Sequence, residues 1–392
     1  MSQTKPLKKV ARLITSNGKG MRSGKSGHLA AAADALNIVH KQPRPGSPSA
    51  DALASGLGST PAHNLRFRGG RTVPKLTYVN LYVGGKAAWA PADIQNIDRA
   101  LGAAMTDPRL DTVINQYFPS GPVTTAVVPS QVLAGPKPDT VTRATMDTLV
   151  RDQVISAGRL NQFDPATTLF NFFLPRGVVL TTDGGAQAAA EESASSPFSV
   201  NTVTTIRSGK VVTTVTVATT ATAADQAPSG DSDDDPMSHY PVRSGVRKGG
   251  PLGGDPDDAA SSLNGLGGYH GSVHAGGTVI YFAVGVFSES LPDGSQNGIV
   301  AFDEAWKNVV ATFYHELQEA RTDPDVEDAI RTQNSNFIGW NSDQGEEIGD
   351  FPVFEADPLQ QVFKEVQLVN GDTAPIQLLY SNRENGPEDP TT

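Results

Sequence analysis

Apolar residues recur with a strand period and then with a helix period soon after residue 75. Residues 76–83 alternate β-branched or aromatic side chains with others, which predicts a strand. The next apolar residues are three or four positions apart, which predicts an amphipathic helix over residues 92–105. The same patterns predict a short helix over 109–117, a long helix over 139–157, and strands over 123–133 and 168–174. This alternation is typical of an α/β or α+β fold with a mixed sheet flanked by helices.

The second half of the chain repeats these signals after a change in composition. A strand is predicted over residues 279–286 and a helix over 302–322. The turn Asn370-Gly371-Asp372 separates two further strand patterns and predicts a hairpin. Between the halves, the Thr/Val alternation of residues 203–217 predicts another hairpin, and the Gly, Pro and Asp of residues 221–258 predict an acidic linker.

Charge and composition divide the chain further. Residues 1–75 hold thirteen Lys or Arg against two acidic residues, whereas the remainder holds 18 against 40. We therefore expect a flexible basic tail ahead of an acidic body. The predicted organisation starts with a basic tail over residues 1–75. One core follows in two parts, over 76–183 and 266–383, with an insertion over 184–265 between them. A polar C-terminal tail covers 384–392.

The sequence lacks the signals that are typical of several classes of protein. The chain has no cysteine, so it has neither disulfides nor thiolate metal sites. No apolar run is long enough to span a membrane, and the basic N-terminus lacks the apolar region of a signal peptide. A cytoplasmic location is the default expectation, with atypical secretion left open. There is no clear nucleic-acid motif, and neither a serine-hydrolase elbow nor a phosphate loop is present.

The strongest chemical signal lies in the predicted helix 302–322. His315, Glu319 and Asp323 follow one another at intervals of four and would stack on one helix face. Glu316 follows the histidine as in the His-Glu-x-x-His helix of zinc peptidases, although Glu319 replaces the second histidine. The later turn Gly345-Glu346-Glu347-Ile348-Gly349-Asp350 adds more carboxylates. A zincin-like metal-site helix is therefore expected.

Three interpretations of these residues remain open. In the first, His315, Glu319 and either Glu347 or Asp350 hold a zinc ion that activates water, and Glu316 is the general base. His270, or the neighbouring tyrosine, would then steady the oxyanion. In the second, the carboxylates, with Asp323 among them, hold calcium or manganese in a structural role. In the third, the acids are solvated and no metal binds.

The C-terminal motifs resemble those of bacterial and fungal relatives of the plant EXORDIUM (phosphate-induced) proteins. The shared elements are the helix sequence His-Glu-x-x-Glu-Ala-x-Thr-Asp-Pro from His315 to Pro324, the pair Gly339-Trp340, and Glu-Ile-Gly-Asp ending at Asp350. Gly268-Tyr269-His270-Gly271, the strand over 76–81 and the segment 376–382 are also similar. Two features depart from the pattern: Phe351 stands where cysteine is common, and the insertion 184–265 has no counterpart.

The resemblance implies a metal-site helix of metallopeptidase-like type. The expected function is a zinc-dependent hydrolase that acts on a peptide or protein. The alternative is a non-catalytic, metal-stabilised binding or structural module of the EXORDIUM-like type. The sequence gives no indication of the substrate or of the oligomeric state.

Overall fold

The computed structural model describes residues 52–182, 198–207, 210–219, 261–326, 329 and 334–391. Residues 1–51 of the tail predicted over 1–75, the acidic linker, and the other residues of the insertion before 261 lie outside the described residues. Two strands of the insertion are described by themselves: β7 (Phe198–Arg207) and β8 (Lys210–Thr219) pair antiparallel around a two-residue connection. This pair confirms the predicted Thr/Val hairpin.

Within the described residues, five strands form one mixed sheet. Its order is β3-β2-β5-β10-β9, in which the first four strands are parallel and the edge strand β9 is antiparallel to β10. The bounds are Lys75–Tyr82 for β2, Thr124–Val132 for β3, Thr168–Phe173 for β5, Gly268–Ala275 for β9 and Thr278–Gly285 for β10. The mixed sheet and its helices confirm the α+β alternative of the predicted α/β or α+β fold.

Both faces of the sheet are buried at its central strands, because alternate residues of β2, β5 and β10 enter separate hydrophobic clusters. One face packs with α1 (Pro91–Met105), α2 (Asp111–Asn115) and α4 (Ala305–Thr322). The other face packs with α3 (Arg143–Val150) and the single π-helical turn that follows it. Strand β5 is buried along its whole length, as expected for a strand covered by helices on both sides.

Helix α4 lies between the sheet and the C-terminal hairpin of β14 (Phe363–Gln367) and β15 (Thr373–Gln377). It starts three residues later than predicted, because the Asn308 side chain accepts hydrogen bonds from the amides of Ala301 and Phe302 and holds them in a turn. It ends at Thr322, since Pro324 follows the capping residue Asp323. The short helix α5 (Asp350–Glu355) comes before the hairpin.

Helix α3 is shorter than the helix predicted over residues 139–157. Thr142 caps its first turn by accepting a hydrogen bond from the amide of Thr145, and the residues before it form the short strand β4 (Thr140–Val141). Strand β4 pairs with β6 (Val179–Leu180). The small pairs β11 (Glu289–Ser290) with β12 (Gln296–Asn297), and β16 (Leu379–Ser381) with β17 (Gly386–Glu388), complete this part of the chain.

Two predicted tails are wrong in part. Residues 52–75, assigned to the basic tail, lie along the C-terminal region, where β1 (Arg66–Phe67) pairs with β13 (Trp340–Asn341). Residues 386–388, assigned to the polar tail, form strand β17 and are buried. Both segments have weak periodicity, and their order comes from contacts with residues far away in sequence. No helix in the described ranges is both long and apolar enough to cross a membrane.

Gly285 fixes the distance between the sheet and α4. A Cβ on this residue would lie 2.7 Å from the ring of Phe313, which itself stacks on Phe173 with ring centroids 3.7 Å apart. We predict that Gly285→Ala lowers the free energy of unfolding by about 1–3 kcal/mol through overpacking. Urea denaturation would measure the change. Gly58→Ala is the control, since its Cβ would meet no atom within 4 Å; an equal effect there would contradict the prediction.

Candidate metal centre

Helix α4 carries charged residues into a part of the protein that excludes water. Every residue from Asn308 to Thr322 is buried, because the sheet covers one side of the helix and the C-terminal hairpin covers another. An unpaired charge is costly in such a place, so each polar side chain requires a partner. The partners come from β9, from β15 and from the loop before α5.

Glu319 is the central ligand candidate on this helix. It lies one turn after both His315 and Glu316, at spacings of four and three residues, so its carboxylate can meet both. Its Oε2 is 2.9 Å from His315 Nε2, and its Oε1 accepts a hydrogen bond of 3.1 Å from the amide of Gly349. The loop before α5 is therefore attached directly to the helix.

His315 points one ring nitrogen at a neutral acceptor and the other at carboxylates. Nδ1 lies 2.6 Å from Oε1 of Gln377 on β15, whose Nε2 in turn donates to the carbonyl of Gly349. Because the amide oxygen can only accept, Nδ1 carries a proton, and Nε2 is the nitrogen that would bind a cation. Nε2 forms a group with Glu319 and Asp350 in which all ligand atoms lie within 4.8 Å of one another.

His270 repeats this arrangement from the edge strand β9. Its Nε2 lies 3.1 Å from the carbonyl oxygen of Asp323, to which it donates. Its Nδ1 faces Oε2 of Glu316 at 3.4 Å and Oε2 of Glu319 at 3.8 Å. These three residues form a second group with ligand atoms within 4.8 Å. Glu319 belongs to both groups.

The loop from Ser342 to Asp350 supplies the remaining carboxylates. Asp350 accepts a hydrogen bond of 3.0 Å from the amide of Glu347 and joins the His315 group. Glu347 Oε1 is 3.5 Å from His270 Nε2 and lies outside both groups. The neighbouring Glu346 faces away from them and pairs with His63 at 2.9 Å.

Asp323 has a different place from the one its spacing predicts. It caps α4, and its Oδ1 accepts a hydrogen bond of 2.9 Å from the amide of Gly339. It is therefore a neighbour of the centre and belongs to neither ligand group. The structure thus brings together all seven predicted site residues, with Asp323 and Glu347 at the periphery.

Burial and mutual repulsion dominate the electrostatics of the centre. Burial and the neighbouring carboxylates raise the pKa values of Glu347 and Asp350 well above their ordinary values. Burial raises the pKa of Asp323 to about 8. Burial alone would lower the pKa of His315, but Glu319 and the other carboxylates outweigh it and raise that pKa to about 9. The site therefore attracts positive charge strongly.

Several buried atoms of the centre have no hydrogen-bond partner, and they fit a metal ion. They are Nε2 of His315, Oε1 of Glu316, Oδ2 of Asp323, Oδ1 of Asp350 and both carboxylate oxygens of Glu347. Native proteins rarely leave buried polar atoms without a partner. The donors are imidazole nitrogens and carboxylate oxygens, a set that suits zinc or manganese better than calcium, which prefers six to eight oxygens.

Two contributors to the site have no chemical signature in the sequence. Gln377 orients His315 from a hairpin strand, and it is an ordinary residue of an alternating pattern. Gly349 is required because a Cβ there would collide with the His315 ring. The only sequence signal for either is its position inside the segments 376–382 and 345–350.

The Gln377 contact gives a test of the centre. We predict that Gln377→Leu weakens zinc binding by about 10–100-fold, because His315 loses the acceptor that fixes its tautomer and the loop loses one attachment. Isothermal titration with zinc would measure this. Gln367→Leu, an exposed position on the paired strand, is the matched control. Equal affinities in both variants and the wild type would refute the role of Gln377.

Comparisons of the chain with protein-family models, with curated proteins and with solved structures find no match. The side chains of the centre and their geometry are therefore the basis for proposing a function.

Proposed function

We propose that this protein is a metal-dependent hydrolase of the zinc-peptidase type, whose cation is held by His315, Glu319 and Asp350. The observation that carries the proposal is the convergence of these three buried side chains with their ligand atoms within 4.8 Å. Three protein ligands are the number that catalytic zinc sites use, although here two of the three are carboxylates. The hydrogen bond from His315 to Gln377 supports the same assignment, because metal-bound histidines donate their other N–H to an oxygen acceptor.

The cation, when bound, supplies Lewis acidity, which polarises a substrate carbonyl and makes water acidic enough to attack near neutral pH. Glu316 then accepts the proton of the attacking water and passes it to the leaving amine. Its position supports this role: Oε1 has no hydrogen-bond partner, and Oε2 lies 3.4 Å from His270. The carbonyl of Asp323 orients the His270 imidazole beside that carboxylate. The oxyanion role of His270 stays a prediction.

The burial of the centre favours a second candidate. All seven residues are buried, and the most exposed of them, Asp350, retains only 6% of its accessible surface. Closed sites are typical of structural metals, whereas catalytic sites keep one position open. The second candidate is therefore a non-catalytic module in which the cation joins α4, β9 and the loop before α5.

Glu316→Gln tests the hydrolase proposal. We predict that the variant still binds a cation through His315, Glu319 and Asp350 but loses peptide hydrolysis by about 10²–10⁴-fold, because the amide cannot accept the proton. A fluorogenic peptide library would measure hydrolysis, and plasma mass spectrometry would measure bound metal. Glu365→Gln, at an exposed position on β14, is the control. Equal turnover by wild type and Glu316→Gln would exclude this mechanism.

Removal of the cation separates the two candidates. For the hydrolase, we predict that chelation abolishes hydrolysis and lowers the thermal midpoint, while the far-ultraviolet circular dichroism at 25 °C stays unchanged. The stabilisation lost is about 2.7 kcal/mol for a cation present at a hundredfold excess over its dissociation constant. Added zinc should restore hydrolysis. Loss of the circular dichroism signal on chelation, without hydrolysis beforehand, would instead support the structural candidate.

A further inference from the structure

We propose that the centre has a second cation position, held by His270, Glu316 and Glu319, with Glu319 shared between the two positions. The inference deepens the proposed function, and it rests on the first cation position held by His315, Glu319 and Asp350. The ligand it assigns is a second divalent transition-metal cation, such as zinc or manganese.

The distances within the second group fit a small divalent cation. Ligand distances of about 2.0–2.2 Å in a tetrahedral site place neighbouring ligand atoms about 3.3–3.6 Å apart. His270 Nδ1 is 3.4 Å from Oε2 of Glu316 and 3.8 Å from Oε2 of Glu319. These separations exceed the usual length of an N–H···O hydrogen bond, which is about 2.7–3.2 Å. The group is therefore spaced more like ligands around an ion than like a hydrogen-bonded pair.

The orientation of His270 is that of a metal ligand. Its Nε2 donates to the carbonyl of Asp323, so Nδ1, which faces two carboxylates, is the nitrogen that would bind a cation. His315 has the same arrangement, with Gln377 in place of the backbone carbonyl. Metal-bound histidines show this pattern of one ligating nitrogen and one donating N–H.

A second, independent observation is the set of buried oxygens without partners. Glu316 Oε1 and both oxygens of Glu347 lie beside this group with no hydrogen bond, and both side chains are fully buried. Glu347 Oε1 is 3.5 Å from His270 and faces the ring from the side of Nε2. Buried carboxylate oxygens without partners are costly, and a cation held by this group would compensate them.

The charge of the whole cluster supports two cations over one. Among the described residues of the centre, five carboxylates surround two imidazoles: Glu316, Glu319, Asp323, Glu347 and Asp350. With all five ionised, one divalent cation offsets two of their charges, and a second offsets two more. The buried cation elsewhere on the same helix, Arg321, is engaged with Asp111 and Thr125. It therefore does not neutralise the cluster.

Glu319 can serve both positions because of helix geometry. It follows His315 by four residues and Glu316 by three, and its Oε2 lies 2.9 Å from Nε2 of His315 and 3.8 Å from Nδ1 of His270. Each position then has one histidine, one carboxylate of its own and the shared Glu319. Glu316 would bind through Oε2, which leaves Oε1 as the oxygen without a partner.

Manganese titration of the metal-stripped, full-length chain tests this proposal. We expect two bound Mn²⁺ per chain by plasma mass spectrometry after equilibrium dialysis. At full loading we also expect a magnetically coupled electron paramagnetic resonance signal, since two cations that share a carboxylate lie about 3.5–4 Å apart. His270→Gln should bind one Mn²⁺ with no coupling. His274→Gln, an exposed position on the same strand, is the control and should bind two.

The remaining variants distinguish this proposal from the first cation position. Glu316→Gln, which preserves side-chain size, should also bind one Mn²⁺, and it keeps the test valid if His270→Gln does not fold. One Mn²⁺ in the wild type, retained in His270→Gln and lost in His315→Gln, would overturn the second position and leave the proposed function standing. No bound Mn²⁺ in the wild type would overturn both.

Discussion

The burial of charge on α4 is the constraint on which the rest of this structure depends. The helix runs through the core with His315, Glu316 and Glu319 in consecutive turns, and none of them reaches water. An isolated ionised group in such an environment is too costly to persist. The fold therefore has to bring compensating groups to the helix from elsewhere in the chain. The positions of β9, the C-terminal hairpin and the loop before α5 all follow from this requirement.

Glycine residues allow backbone groups to come close enough to α4 to form hydrogen bonds with its side chains. Gly339 donates its amide to Asp323, and a Cβ there would collide with the carbonyl of Thr322. Gly349 contacts the His315 ring while its amide and carbonyl engage Glu319 and Gln377. Backbone groups can therefore contact the helix directly at both ends of the centre. The Gly-Trp and Glu-Ile-Gly-Asp motifs thus have a packing explanation that is independent of any catalytic role.

The elements with strong local periodicity could be predicted from the sequence. Strand β2, helix α1 and the β14–β15 hairpin follow from the spacing of apolar residues and from turn residues, which act over short distances. The site helix was also recognisable, because intervals of three and four residues place His315, Glu316 and Glu319 together whatever the tertiary fold. Long-range partners were not predictable in this way. Gln377 and the carbonyl of Asp323 contribute through position alone, and neither has a local pattern.

Residues 52–73 show why the tail that the sequence predicts extends too far along the chain. Their composition is polar and glycine-rich, so local signals favour a tail, yet the segment is tied to the C-terminal region by specific pairs. Arg68 donates to Asn341 at 2.8 Å, and the amide of Val73 donates to the carbonyl of Arg321 at 2.7 Å. His63 stacks on Phe351 with ring centroids 3.7 Å apart and pairs with Glu346. The segment thereby holds the loop that carries Glu347 and Asp350.

The ligand groups come from separate parts of the chain, and this separation links metal binding to folding. His270 lies on an edge strand, Asp350 at the start of α5 and Glu319 in the middle of α4. Two hydrogen bonds connect these segments near the centre: one amide of the loop donates to Glu319, and the carbonyl of Asp323 accepts from His270. A cation at either position would contact two or three of these segments at once. The free energy of cation binding would then stabilise the arrangement of α4, β9 and the loop together. A buried acidic cluster can stabilise a fold in this way when metal is bound.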